Sequence, residues 1–315
     1  MALVNTKSLP NTTDRSFTAN FFDEYKEYPS EFTKIAKVQS RVGMGGKDIK
    51  EYEMSPLGSF VTIPEGMAVT FDEPAEGHSK TLTFSKVGLG CQLTEESQED
   101  DLTGNVSRLS GKLAKSGRMK FDLDYFAMFN GAFTGTTYTS WDGQNICDTD
   151  HVTLKSNTTI SNDGSSGTGV SLSETGLQGA FEYFDNLVDE AGFPLIMQGP
   201  YILLAPMELR WMLAKLGKNE GKIGVIDNDI NTVRPGNIEG AANMPNAWTP
   251  FLSRWLTDAD NWFLLAKNHD ARFVWKRMIK LGSSDDFATG SRLYKATARY
   301  GVGTFDYKGI YGSAP

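Results

Sequence analysis

The side chains closest to a hydrolytic or metal site are Cys147, Asp148, Asp150 and His151. A thiol, two carboxylates and an imidazole could supply a nucleophile with its base, or the ligands of a zinc ion. However, the chain has only 3 histidines, and this cluster shows none of the spacings known for zinc sites. We therefore favour a surface turn with a buried thiol. A hydrolase or sugar-binding protein that uses this cluster is kept as an alternative function.

Two glycine-rich stretches match nucleotide-binding motifs only in part. The run 43–47 would need a glycine in place of Arg41 and a serine or threonine in place of Asp48 to form a phosphate-binding loop. Gly301 and Gly303 lack the third glycine of a dinucleotide fingerprint and lie within a predicted strand. These glycines are interpreted as turn or packing residues, and the sequence predicts no cofactor.

The remaining candidates for acid/base chemistry also have structural explanations. Acidic residues cluster where a long helix is predicted to begin, and the helix dipole favours them there; they are Glu95, Glu96, Glu99, Asp100 and Asp101. His269 and Asp270 lie in a predicted polar turn without a serine or cysteine motif, so His269 is expected to be a neutral surface histidine. We therefore predict no catalytic, cofactor-binding or metal-binding residues and no enzyme activity, which indicates a structural role.

The composition is that of a globular, acidic protein. The chain has 315 residues, of which 39% are hydrophobic and 11% aromatic, and a net charge of -8. This charge excludes a generally basic, DNA-coating surface, so contact with nucleic acid has to be local or weak. The sequence has neither an apolar stretch of about 18 residues nor a signal peptide, and its two cysteines are typical of reduced thiols. We expect a protein kept in a cytoplasm-like compartment, without membrane contact.

The longest predicted element is a helix from Thr94 to Asn130. Acids precede bases along it, and apolar residues recur at helical spacing, at Leu102, Val106, Leu109 and Leu113. Thr94 is the expected N-cap. Gly104, Gly111 and Gly117 each cost roughly 1 kcal/mol in a helix interior, so we predict that they are hinges where this spine helix bends or is interrupted.

Two segments before this helix are predicted to lack a core of their own. Residues 1–35 hold six aromatic residues without evident hydrophobic periodicity, so an arm lying across another surface is favoured over a small N-terminal helical cap. Alternating apolar residues in 41–92 predict a protruding two- or three-stranded excursion with strands at 60–63, 67–71 and 82–87. Such a small sheet is only marginally stable in water on its own. We expect a partner subunit to cover both segments, through Phe17, Phe21, Phe22, Phe60, Val61 and Phe71.

The rest of the chain combines helices and strands in an α+β arrangement. Ser171 and Glu174 form a predicted capping box for a helix that stops at Gly192. The following elements are two strands at 193–198 and 201–205, a helix over 207–216, a loop over 217–250 with an embedded short strand, and strands at 251–256, 262–266, 273–279 and 293–305.

Five stretches, taken in order, resemble the major capsid proteins of tailed bacteriophages with the Hong Kong 97-type fold. They are VGLGCQLTEESQEDDL at 87–102, DTDHVTLKSN at 148–157, YILLAPMELRWMLAKL at 201–216, WLTDADNWFLLA at 255–266 and ATARYGVGTFDYKGIYGS at 296–313. Within this family, the residues of the five stretches are most similar to those of the Mu-like major head subunits. The resemblance covers nearly the whole chain and rests on the succession of the stretches rather than on one motif.

The resemblance implies a flat subunit with an N-terminal arm (1–40), an E-loop hairpin (41–92), a peripheral domain with the spine helix (93–135), an axial domain (136–290) and closing strands (291–315) that belong to the peripheral and axial domains. It implies pentamers and hexamers of an icosahedral head around double-stranded DNA, in a virion assembled in the cytoplasm of a bacterial host. The implied partners are further copies of the chain, a scaffolding protein, a portal, decoration proteins and, by weak non-specific contact, the packaged DNA.

Two departures from the family pattern narrow these expectations. Some relatives join subunits by a Lys–Asn isopeptide bond, but residues 269–315 contain no asparagine, so covalent cross-linking is not expected. The chain begins without a long helical prodomain, which implies a separate scaffolding protein or a prodomain already removed. The nearest alternative function is an encapsulin-like shell of the same fold, a cellular nanocompartment that encloses a cargo enzyme.

Overall fold

The computed structural model describes residues 10–94, 96–97, 100, 105–164, 169–197, 199–218 and 248–315. Its helices are α1 (Pro10–Glu27), α2 (Asn105–Asn130), α3 (Glu174–Asp185) and α4 (Arg210–Lys218). Its strands are β1 (Lys37–Ser40), β2 (Asp48–Met54), β3 (Glu76–Thr83), β4 (Ser85–Leu93), β5 (His151–Val152), β6 (Thr159–Ile160), β7 (Tyr201–Pro206), β8 (Trp248–Ser253), β9 (Trp262–Leu265), β10 (Arg272–Asp285), β11 (Arg292–Gly303) and β12 (Ile310–Ser313). The predicted α+β class is confirmed.

The chain divides into two compact units, and the division differs from the predicted domains. Unit 1 comprises Met1–Asp48, Thr83–Tyr125 and Arg272–Val302, and unit 2 comprises Ile49–Leu82, Phe126–Ala271 and Gly303–Pro315. The predicted axial domain, 136–290, therefore includes β10, which belongs to unit 1 because it pairs with β1 and neighbours β11. The closing strands 291–315 are divided between the units, with most of β11 in unit 1 and β12, which pairs with β9, in unit 2.

Unit 1 is built on a four-stranded sheet in the order β1-β10-β11-β4. β1 pairs parallel with β10, and β11 pairs antiparallel with β4. Phe121 of α2 meets the rings of Trp275 and Tyr300 edge to face, with centroids 5.1 and 5.2 Å apart. These aromatic contacts fix α2 on one face of the sheet. The strands predicted at 273–279 and 293–305 are confirmed as β10 and β11.

The segment predicted as an extended arm is helical where the structure describes it, as α1. Phe17, Phe21 and Tyr25 are four residues apart, so they share one face of this helix. Phe17 stacks on Tyr294 with ring centroids 3.9 Å apart, and Phe21 packs in a buried cluster with α2. Phe17 and Phe21 are 1% and 0% exposed, so the chain's own unit 1 covers both predicted subunit contacts. Phe22 is half-buried and lies edge-on to Phe21.

α2 is shorter than the helix predicted over Thr94–Asn130. Asp100 is a bend rather than part of a helix, and the described helix Asn105–Asn130, with 26 residues, spans roughly 39 Å. Thr94 caps a separate helical turn, because its Oγ1 accepts a hydrogen bond from the Ser97 N–H at 3.3 Å. The connection between this turn and α2, with the predicted hinge at Gly104, lies outside the described residues.

Gly111 and Gly117 lie within α2, which continues through both without the predicted interruption. A Cβ atom at Gly111 would lie 3.0 Å from the Glu24 side chain of α1, and one at Gly117 would lie 3.2 Å from Cδ1 of Ile279 in β10. Both separations are tighter than ordinary van der Waals contact. The two glycines therefore allow α1 and β10 to approach α2 closely, and their action as hinges stays a prediction.

Unit 2 contains a second four-stranded sheet, in the order β12-β9-β7-β8. β7 pairs parallel with β8 and antiparallel with β9, which pairs antiparallel with β12. All four residues of β9 are buried, which is typical of a central strand covered on both faces. Leu177, Phe181 and Phe184 of α3 pack in the same core.

Two predictions around α3 are wrong. The helix ends at Asp185 rather than near Gly192, and its N-cap is Ser173, whose Oγ accepts the Gly176 N–H at 3.1 Å. Ser171 is therefore not the cap. In the described part of 193–198 no strand forms, and only an isolated bridge joins Val188 to Pro194.

The helix predicted over 207–216 is confirmed, as a 3-10 turn at Met207–Leu209 followed by α4. The strand predicted at 251–256 starts earlier, at Trp248. Residues 219–247 of the predicted loop lie outside the described residues. Within the described ranges, no helix has both the length and the hydropathy needed to cross a membrane.

The segment predicted as a two- or three-stranded excursion does form strands, but at other positions: the strand predicted at 82–87 is divided at Phe84 between β3 and β4. β2 and β3 pair as a two-stranded sheet. Between them, residues 55–75 form no regular strand, so the strands predicted at 60–63 and 67–71 are not formed. Pro56, Pro64 and Pro74 each remove a backbone N–H from this segment, which disfavours a continuous ladder. We call this segment the loop 55–75.

Candidate assembly surface and buried polar cluster

The loop 55–75 presents the largest group of uncovered apolar side chains in the described chain. Phe60 is 107% exposed and Phe71 is 91% exposed. The other exposed apolar residues of the loop are Leu57, Val61, Ile63, Met67 and Val69. Monomeric soluble proteins rarely expose contiguous apolar patches of this kind, which mark interaction sites. Of the predicted contact residues, Phe60, Val61 and Phe71 are therefore exposed in this loop, whereas Phe17 and Phe21 are buried elsewhere.

Hydrogen bonds at its base hold the loop 55–75 in place. The Ser55 N–H donates to the Ala75 carbonyl, and the Ala75 N–H donates to Ser55 Oγ, each at 2.9 Å. Higher in the loop, Asp72 Oδ2 accepts the Gly58 N–H at 2.7 Å and lies 3.1 Å from Lys155 Nζ. The Gly58 hydrogen bond, with a smaller contribution from Lys155, lowers the pKa of Asp72. The apolar side chains are thus presented on a closed loop.

The stem of the hairpin is fastened to the rest of unit 2 by a cationic side chain. Lys80 of β3 donates hydrogen bonds to the carbonyl oxygens of Thr139 and Thr304. Burial lowers the pKa of Lys80 to about 8, against the opposing effect of nearby carboxylates. On β2, the buried Glu53 accepts from His78 Nδ1 at 3.0 Å. These contacts fix the position from which the loop 55–75 projects from the rest of unit 2.

The cluster predicted as a possible hydrolytic site is divided by the structure. His151 is fully buried, with Nδ1 2.5 Å from Asp142 Oδ2 and its ring stacked on Tyr307 at a centroid distance of 3.7 Å. Burial raises the pKa of the Cys147 thiol well above its ordinary value, which is the reverse of what a nucleophile requires. Asp150 is exposed at the surface. These residues do not support a nucleophile with its base.

The described residues contain no group of acidic, histidine and cysteine side chains that could hold a metal ion. His269 was predicted at the surface and is instead buried, with Nδ1 accepting the Ala271 N–H at 3.1 Å. The neighbouring Asp270 is also buried, and its Oδ2 accepts the Phe305 N–H at 3.1 Å. His269 therefore stabilises the turn that joins β9 to β10, and Asp270 ties this turn to the segment that follows β11.

Sequence reasoning missed a buried ion pair in unit 2. Lys308 donates to Glu190, and the two side chains are 5% and 6% exposed. A second oxygen of Glu190 accepts the Leu154 N–H at 2.5 Å. Partners this far apart in the sequence leave no local signal, so only the fold reveals them.

Comparisons with known proteins agree with this architecture. A family model described as phage capsid protein matches residues 79–313. No curated protein matches the chain. The chain resembles the capsid of the cyanophage P-SCSP1u with 12% identity and a TM-score of 0.57, covering 90% of this chain and 87% of that chain. It resembles the mature capsid of bacteriophage PhiM1 with 11% identity and a TM-score of 0.57, over 90% and 86% of the two chains.

A third solved structure, a virus-like particle from Pyrococcus furiosus, shares 9% identity with a TM-score of 0.50, over 95% of this chain and 98% of that chain. Identities this low establish the fold alone, and that fold is the Hong Kong 97-type. The finer likeness to Mu-like head subunits stays a prediction. Since the family model covers most of the sequence, the chain belongs to the phage capsid protein family.

Proposed function

We propose that this chain is the major capsid protein of a tailed phage, a structural protein without enzyme activity. It forms pentamers and hexamers of an icosahedral head that encloses double-stranded DNA, after assembly in the bacterial cytoplasm. In this assignment the loop 55–75 is the tip of the E-loop, α2 is the spine helix of the peripheral domain, and most of unit 2 is the axial domain. A scaffolding protein, a portal and decoration proteins are the proposed partners.

The observation that carries this proposal is the exposure of the loop 55–75. Seven apolar residues of this loop are solvent-exposed within one chain, although its base is closed by hydrogen bonds. An apolar surface on an ordered loop is stabilised when another molecule covers it. In a shell of identical subunits, a head-to-tail contact supplies that cover in every copy.

The proposal is tested by assembly of the purified chain, followed by sedimentation velocity and electron microscopy. The parent chain is expected to form closed particles or capsomers. The double variant Phe60→Ser with Phe71→Ser is expected to remain a folded monomer, because it removes the two most exposed aromatic side chains of the loop 55–75.

The matched control is Phe287→Ser. Phe287 is 104% exposed but lies at the turn between β10 and β11, outside the loop 55–75. This variant is expected to sediment like the parent chain. A parent chain that stays monomeric at high concentration, with or without a scaffolding protein, would refute the proposed function.

The second candidate is a cellular nanocompartment shell, which the likeness to the Pyrococcus furiosus virus-like particle favours. The two functions differ in what the particle encloses. Nuclease-resistant double-stranded DNA recovered from particles made in the native host supports the phage head. Recovery of a co-packaged enzyme without DNA supports the nanocompartment.

A further inference from the structure

Unit 2 contains a cavity that the proposed function does not use. Its volume is about 450 Å³, which lies within the range of small-molecule sites in proteins. Its lining comes from the segment 158–164, from the second half of α3 with the residues that follow it, and from Tyr311 of β12. We call this space the α3 cavity.

One wall of the α3 cavity is the polar face of α3. Gly179, Glu182 and the C-cap Asn186 are three and four residues apart, so they share one face of the helix. Leu177 and Phe184, on the opposite face, are buried in the core of unit 2. A Cβ atom on Gly179 would meet no atom within 4 Å. The polar face of α3 is therefore turned toward open space.

The second wall of the α3 cavity is anchored to β12. The Gly164 N–H donates to the Gly312 carbonyl at 2.8 Å, and the Gly312 N–H donates to the Asn162 carbonyl at 3.0 Å. Asn162 is fully buried, and its side-chain Nδ2 donates to the Ile310 carbonyl at 3.0 Å. Both walls are thus fixed within the single chain, so a ligand does not have to organise them when it binds.

Tyr311 brings a buried hydroxyl group to this cavity. Its side chain is only 6% exposed, and among the described residues its hydroxyl has no hydrogen-bond partner. A Cβ atom on Gly164 would collide with this hydroxyl, so the glycine leaves room for it. Burial, with a smaller contribution from the charge of Asp163, raises the pKa of Tyr311 to about 12. A buried hydroxyl without a partner is unfavourable, and a ligand in the cavity can satisfy it.

The charge of the lining indicates which ligand would be attracted. Asp163 contributes a carboxylate from one wall and Glu182 contributes one from the other, whereas the described lining contains no Lys, Arg or His. An excess of one sign of charge in a concave site attracts ions of the opposite sign. The rings of Tyr183 and Tyr311 add aromatic surface, to which ammonium groups are also attracted.

The remainder of the lining favours an organic cation over a metal ion. Ile160, Leu187 and Val188 contribute apolar surface, which suits an aliphatic chain. The described residues contain no group of acidic, histidine and cysteine side chains that could hold a metal ion. The cavity is also far larger than one ion requires. A ligand with an aliphatic middle and cationic ends matches all of these features.

We propose that the α3 cavity binds a linear aliphatic diamine or polyamine. One ammonium group lies at Glu182 and Asn186, and the other lies at Asp163 and the Tyr311 hydroxyl. The binding itself goes beyond the proposed function and does not depend on it. Only the source of the ligand rests on that function, because double-stranded DNA carries a condensed atmosphere of counterions into the head.

The test measures the binding of putrescine to the purified full-length chain by isothermal titration calorimetry at low ionic strength. Saturable binding of one putrescine per chain is expected, and added salt should weaken it. Butylamine has the same carbon chain but one ammonium group. It is expected to bind about tenfold more weakly, because it loses one charge-assisted contact.

Two variants locate the site. Glu182→Gln should weaken putrescine binding about tenfold or more, because it removes a carboxylate from one wall. Tyr311→Phe keeps the ring and should weaken binding about threefold. The matched control is Asp185→Asn, which makes the same charge change at an exposed position of α3 outside the cavity lining. Its affinity should stay within about twofold of the parent chain.

Circular dichroism checks that each variant is folded. Glu182 is exposed, so Glu182→Gln decides the question even where Tyr311→Phe does not fold. Equal affinities of Glu182→Gln and Asp185→Asn would overturn the inference, because they would mean diffuse attraction of cations to an acidic chain. The absence of saturable binding would also overturn it, as would glucose binding more tightly than putrescine.

These results leave the proposed function untouched, because assembly is measured separately. Conversely, a chain that binds putrescine as described but never assembles would refute the proposed function and retain this site.

Discussion

α1 and the loop 55–75 both carry aromatic side chains, but in opposite environments. In α1, Phe17 and Phe21 are almost completely buried, whereas Phe60 and Phe71 in the loop are almost completely exposed. The difference follows from spacing. Aromatics four residues apart on a helix form a single face that unit 1 can cover, while prolines prevent the loop from forming a strand or helix with such a face. Apolar content alone therefore does not identify an assembly surface.

The largest expected difference between α1 and the loop 55–75 is the loss of folding stability when an aromatic residue is replaced by alanine. Phe21→Ala should lower the free energy of unfolding by about 3–5 kcal/mol, because it opens a cavity in the cluster with α2. Phe60→Ala should change it by less than about 0.5 kcal/mol, because that ring is exposed in the single chain. Urea denaturation of the unassembled subunit measures both. Equal losses would mean that the two regions do not differ as described.

The second effect concerns two carboxylates, one in α2 that contacts the segment after α1 and one in the loop 55–75. Asp122 is buried and accepts the Phe32 N–H at 3.0 Å, just after α1, and burial raises its pKa to about 6. Because this pKa is above that of the unfolded chain, the charged form destabilises the fold near pH 7, and stability rises as the pH falls through about 6. Asp122→Asn should therefore stabilise the subunit at pH 7 by about 2 kcal/mol and flatten its stability profile between pH 7 and 5.

Asp72, in the loop 55–75, supplies the matched control with the opposite sign. Its pKa is lowered by the Gly58 N–H, so its contribution is present above the ordinary aspartate pKa and is lost only as the pH falls through the lowered value. Asp72→Asn should leave the profile between pH 7 and 5 unchanged. The measurement is urea denaturation across that range, and an unchanged profile for Asp122→Asn would contradict the assignment.

The smallest expected effect tests how closely α1 approaches α2. Gly179→Ala, in α3, has open space around the new Cβ atom and should stabilise the subunit by up to about 1 kcal/mol through helix propensity. Gly111→Ala should gain less, because its Cβ atom meets Glu24 at 3.0 Å. Thermal unfolding of the subunit compares the two variants.

The hinge hypothesis makes a separate prediction for the same helix. Alanine at Gly104, Gly111 and Gly117 should stiffen α2 and alter the expansion of assembled particles, as observed by electron microscopy. Unchanged expansion in all three variants would leave close packing as the role of the glycines that the structure describes.

The sequence was most informative where one local rule determined the outcome. Alternation along 293–305 predicted β11, and the proline before Met207 with apolar spacing predicted the helix that contains α4. It was least informative where two rules competed. Phe17, Phe21 and Tyr25 follow helical spacing, but the polar residues between them obscured the pattern. The loop 55–75 alternates like a strand, but its prolines prevent one.

The candidate surface was predictable in part. Phe60, Val61 and Phe71 could be named from their apolar character within a segment that lacks a core. The concentration of bases in the sheet of unit 1 could not, because they come from strands that meet only after folding. The pairing of Lys308 with Glu190 escaped prediction for the same reason.

The parallel pairing of β1 with β10 has a consequence for synthesis. Lys37 pairs with Arg272, roughly 235 residues further along the chain. At typical translation rates, the N-terminal aromatics leave the ribosome on the order of ten to fifty seconds before the strands that shelter them. During that interval the aromatic face of the nascent helix is exposed to solvent. A chaperone that binds exposed aromatic segments would therefore protect the nascent chain from aggregation.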